Sequence, residues 1–98
     1  MTVLPTNPKA KMVAFARTFP SLVKAMGVKP WDAHAFDRWA TETPLSHGEL
    51  LTARFLLAVW DPATTWPCGR FELMDAMRVW DDRHRAAFLA WASDPWWP

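Results

Sequence analysis

Tyrosine and isoleucine are missing altogether from these 98 residues, and cysteine occurs once, at Cys68. A lone cysteine excludes an internal disulfide and, with it, a small secreted scaffold held by cross-links. Long apolar runs are missing too. FLLAVW at residues 55–60 falls far below the ~20 residues that span a bilayer, so no membrane partner is expected. The N-terminus has no continuous apolar stretch with a small-residue cleavage site, so a cytoplasmic location is the expectation. Acid is absent from the first third of the chain. Residues 1–31 carry Lys9, Lys11, Arg17, Lys24 and Lys29 with no Asp or Glu, whereas residues 32–98 carry all ten acids against six Lys and Arg. The net charge of +1 conceals this separation. A basic segment of that kind meets either an external partner of opposite charge or the acidic remainder of its own chain.

What is present is aromatic. Eight Trp and six Phe supply the core, each burying on the order of 150–250 Å². Hydrophobic residues make up 51% and charged residues 21%, a balance that favours a folded chain over a disordered one. The whole of 1–98 is read as one all-α domain, with a basic N-terminal segment (1–31) and an acidic helical body (32–98).

Nine prolines cut the chain into helix-sized pieces, and no alternating strand pattern interrupts them. Asn7 and Pro8 form an N-cap followed by proline at the first helical position. Met12, Phe15, Ala16 and Phe19 then make one apolar stripe on a helix over about 8–19. Pro20 restarts a short helix that Gly27 closes in the left-handed conformation. Pro30 opens the next, with Trp31, Ala35 and Trp39 on its inner face until Pro44.

Ser46 and Glu49 match the S-x-x-E capping box and begin a helix over about 47–60. Leu50, Ala53, Leu57 and Trp60 line one stripe of it, and Leu51, Phe55 and Ala58 the next. A helix with so little polar face belongs at the centre. The loop DPATTWPCG precedes a helix that stacks Leu73, Met77 and Trp80. A last helix, capped by Asp81 or Asp82, carries His84, Phe88 and Trp91. Five or six short helices around 47–60, with the C-terminal tail packed back, is the expected fold. The pair WD recurs at 31–32, 60–61 and 80–81, an echo too irregular for a solenoid.

Chemistry has few footholds. His34, His47, His84 and Cys68 lack the paired two-to-five-residue spacing of zinc ligands, and no metal or other cofactor is expected. WPCG at 66–69 has one cysteine where redox exchange needs two. His84 has Asp81 one turn away to orient it as a base, but the sequence identifies no nucleophile, no electrophile-stabilising group and no pocket to go with it. An enzyme using His84 therefore ranks third. Nucleic-acid binding through Lys9, Lys11, Arg17 and Lys24 ranks second, because pI ≈ 8.0 is modest and no recognition helix is visible.

The leading expectation is a non-catalytic module that binds another protein. An adaptor, an inhibitor or a regulatory accessory of the size that phages and mobile elements encode would fit. Trp97, Trp66, Arg83 and Arg85 are the expected contacts. Trp96 and Trp97 stand side by side in an extended tail, where neighbours face opposite ways. Trp96 should turn inward and Trp97 outward.

Overall fold

The computed structural model describes residues 7–98. Its first helix, α1 (Pro8–Ala16), is capped by the Asn7 side chain, which accepts from the backbone N–H groups of Lys9 and Ala10. Met12, Phe15 and Ala16 are buried, and so is Phe19 beyond the helix end. The helix stops three residues before the predicted Phe19. Proline disfavours the helical conformation in the residue before it, and Phe19, preceding Pro20, is extended at φ −105°, ψ 114°.

The segment after it forms a single 3₁₀ turn, Pro20–Leu22, followed by turns. Gly27 does take a left-handed φ of 80°. It is also pressed against the next helix, since a Cβ there would stand 2.8 Å from the Phe36 Cα and 2.9 Å from the Ala35 carbonyl carbon. The Asp32 N–H donates to the Gly27 carbonyl at 2.8 Å.

Helix α2 (Ala33–Glu42) starts later than Pro30, because Asp32 caps it by accepting from the Ala35 N–H at 3.1 Å. Trp31, just before the cap, packs on Phe36 with ring centroids 5.2 Å apart, the staple geometry that fixes how a chain enters a helix. The buried face is Ala33, Phe36, Asp37 and Ala40, with Ala35 and Trp39 only half-buried. The inner face is thus centred on Phe36 and Ala40, one residue round from Ala35 and Trp39, with Trp39 stacked on Phe36 at its edge.

Helix α3 (His47–Trp60) has the capping box in full, with Ser46 and Glu49 each accepting from the other's backbone N–H. Leu51, Leu56 and Leu57 are wholly buried, and α3 packs against α1, the 3₁₀ turn, α2 and α4 (Leu73–Val79). The central position expected of it is observed. Leu50, Ala58 and Trp60 are half-buried at its margin.

In α4 the expected stack holds in part, with Met77 packed against the core and Trp80 in it. Leu73 is 44% exposed, Ala76 is the buried residue, and Trp80 is buried just after the helix ends. With seven residues the helix has one inner face of about two turns, which Ala76 and Met77 occupy while Leu73 lies outside it.

Helix α5 (Asp82–Ser93) begins at Asp81, which accepts from the His84 N–H. The Phe55 ring on α3 gathers Phe15, Phe71, Phe88 and Trp91 at centroid distances of 4.9–5.8 Å, so the core is an aromatic cluster around one side chain. No strand occurs among the described residues. The radius of gyration, 12.6 Å, matches the ~13 Å of a compact chain of about 100 residues.

Candidate functional site

The acid-free segment ends in a loop that is fixed in place yet turns apolar side chains outward. Leu22, Val28 and Trp31 are buried and anchor it, and Gly27 seats it on α2. Between these anchors Val23 is 82% exposed and Met26 is 68% exposed. They line an open groove of about 530 Å³ shared with Arg17 and Lys29. Lys24, also exposed, lies between them in sequence.

The ion pairs among the described residues join Arg78 to Asp75 and Arg85 to Asp82, and the rings of His47 and His84 hydrogen-bond Asp75 and Asp81. None of them involves Lys9, Lys11, Arg17, Lys24 or Lys29. No carboxylate among the described residues stands within ion-pair distance of these five cations. Lys11 is partly engaged, its Nζ standing 4.5 Å from the Trp96 ring centroid. Lys9 sits in the first turn of α1 and is exposed.

The four residues expected to contact a protein do not gather. Trp66 is 8% exposed, with its indole N–H donating to the Asp61 carbonyl and its ring 5.4 Å from that of His34. A side chain so enclosed offers no surface, which corrects its assignment as an anchor. Arg83 is exposed in the first turn of α5, whereas Arg85 donates through Nε to the Trp80 carbonyl. Trp97 lies on the tail, 55% exposed, its ring edge against Trp91 at 5.3 Å. Arg83 and Trp91 are separated by ~12 Å of helix.

The tail divides as expected. Trp96 is half-buried against Phe15 at 5.3 Å, and its carbonyl accepts from the Trp91 indole.

Among the histidines, His34 lies against Trp66 and His47 pairs with Asp75. No metal-holding group of three or more His, Cys, Asp or Glu occurs among the described residues. Cys68 is buried, and its backbone is clamped from both sides: Asp37 accepts from its N–H at 3.0 Å and the Arg54 Nε donates to its carbonyl at 2.7 Å. Burial, reinforced by the Asp37 carboxylate, pushes its thiol up to about 12. Such a thiol is not a nucleophile at neutral pH.

His84 differs. Its Nδ1 lies 2.7 Å from Asp81 Oδ1, and its Nε2 lies 2.9 Å from Ser21 Oγ. Sequence reasoning paired His84 with Asp81 but missed Ser21, which stands 63 residues away in a turn whose docking on α5 has no local signature. No described helix is long and apolar enough to cross a membrane. Comparison with known proteins finds no matching family model, no similar curated protein and no similar solved structure.

Proposed function

We propose that the protein is a protein-binding module whose docking surface is the loop of residues 16–29, and that its partner presents an acidic segment with apolar side chains. The observation that carries this is the coincidence of Val23 and Met26, exposed on an anchored loop, with the unpaired cations Arg17, Lys24 and Lys29. An apolar pair held out of the core costs solubility unless a partner covers it. The surrounding positive charge selects carboxylates and speeds encounter. A preformed loop also loses little conformational entropy on binding.

Nucleic acid would use the same cations, yet phosphate contacts gain nothing from Val23 and Met26. Four helical apolar residues are also exposed, Leu73, Met74 and Val79 on α4 and Leu89 on α5; beside the first two, Asp75 and Arg78 neutralise one another.

The reading is tested by capture from the native host with the intact chain and with Val23→Asp combined with Met26→Asp. Both positions are in solvent, so the two chains should melt alike. The wild type should retain one acidic protein that the variant loses. Equal retention by both, or recovery of nucleic acid alone, would remove this surface from the account.

A further inference from the structure

We propose that Ser21, His84 and Asp81 form a nucleophilic centre that hydrolyses small uncharged carboxylic esters, an activity separate from the docking described above. The geometry has the two hydrogen bonds such a centre needs: hydroxyl to imidazole at 2.9 Å and imidazole to carboxylate at 2.7 Å. The tautomer is set by a third contact. The Ser21 backbone N–H points at Nε2 at 3.4 Å, and an amide N–H only donates. Nε2 is therefore the acceptor nitrogen, the ring proton sits on Nδ1 facing Asp81, and the Ser21 hydroxyl donates to Nε2. That is the protonation pattern in which histidine acts as a base toward serine.

Phe19 and Trp80 hold the ring at centroid distances of 6.0 and 6.4 Å, Trp80 nearly parallel to it. The imidazole is thus fixed before any substrate arrives, and the aromatic faces favour the cation it becomes.

The site opens into a cleft of about 240 Å³ lined by Ser21, Gly48, Glu49, Val79, Trp80 and His84 among others. Its size limits the substrate to a small acyl group. Val79 and Trp80 give it an apolar wall, while the carboxylates of Glu49 and Asp81 repel an anionic substrate. The first turn of α3 reaches the cleft through Gly48. The Glu49 N–H is held by Ser46, so a donor to a developing oxyanion would have to come from the Gly48 N–H, one of the leading groups with no acceptor within the helix.

In the reaction Ser21 Oγ bonds to the ester carbonyl carbon as its proton passes to His84 Nε2, and Asp81 stabilises the imidazolium through Nδ1–H. Collapse breaks the bond to the alcohol oxygen, which takes the proton from Nε2. Water then attacks the acyl-serine, giving its proton to Nε2, and the acid leaves as Ser21 recovers its hydrogen. The sum is ester plus water to acid plus alcohol.

The experiment treats the purified chain with a fluorophosphonate and, separately, with p-nitrophenyl acetate. Peptide mass mapping of the wild type should place one phosphonyl group per chain on Ser21. Ester turnover should vanish in Ser21→Ala. Asp81→Asn keeps a competent N-cap and should slow turnover by about 10²- to 10⁴-fold. Wild-type protein that carries no adduct at Ser21 under excess fluorophosphonate, or Ser21→Ala that turns over ester at the wild-type rate, overturns the proposal. The wild-type adduct requires no variant to fold, so the test stands even if a substitution disturbs the contact between the 3₁₀ turn and α5.

Discussion

At the scale of single residues, two adjacent tryptophans do different work. Trp96 covers Phe15, lies under Lys11 and lends its carbonyl to the Trp91 indole. Trp97 packs edge-on against Trp91 and leaves more than half of its surface in water. Trp96→Ala should cost about 2–3 kcal/mol, less than the 3–5 of a fully enclosed ring, and Trp97→Ala about 0.5 kcal/mol or less. Denaturant melts of the two variants read the difference directly, and equal losses would contradict the division.

Three acids carry a second residue-scale expectation. Hydrogen bonds from the backbone N–H and ring of His84 lower the pKa of Asp81, those from Arg78 and His47 lower Asp75, and those from Ser46 lower Glu49. Their ordinary values are 3.8, 3.8 and 4.5. Folding lowers each, so the unfolded chain binds more protons in that range. Their stabilisation is complete above the ordinary values and is lost as pH falls through the folded ones. The urea midpoint should drop between roughly pH 5 and pH 3, with a shallower fall in Asp81→Asn and Asp75→Asn. A midpoint constant across that interval would contradict these bonds.

At the scale of elements, α3 organises the molecule. Leu57 is wholly enclosed on it, so Leu57→Ala should lose roughly 2–5 kcal/mol through lost transfer energy and the cavity left behind. Gly27→Ala should also destabilise, because it combines a left-handed backbone with overlap on the α2 backbone. A thermal melt within a degree or two of wild type for either variant would displace that element from its assigned role.

The capping box at Ser46 made the start of α3 legible, and its dense apolar content made its burial legible. The entry to α2 was less so. Pro30 and Asp32 both signal a helix start, and only the seating of Trp31 on Phe36 shows that the later residue prevails. The WD echo gains meaning here. At 31–32 and 80–81 it places a buried Trp immediately before an Asp that caps a helix. At 60–61 the same pair ends one. The candidate sites were the least legible. Ser21 meets His84 only through tertiary packing, and the outward turn of Val23 and Met26 depends on which neighbours the loop buries.

At the scale of the whole molecule, charge remains separated after folding. The cations of the first third find no carboxylate partner among the described residues, and the ion pairs that do form lie within the acidic body. Within the loop of 16–29 the two tasks, folding and binding, fall to different side chains: Ala16, Phe19, Leu22 and Val28 are buried in the core, whereas Val23 and Met26 face outward.

A photoreactive amino acid placed at Met26 in the native host, with Arg83 as the control position, tests that claim most directly. Met26 and Arg83 are both in solvent, so neither replacement disturbs the fold. The account predicts one covalent adduct to a single acidic protein from position 26 and none from position 83. An adduct from 83 alone, or nucleic acid as the species joined at 26, would contradict it.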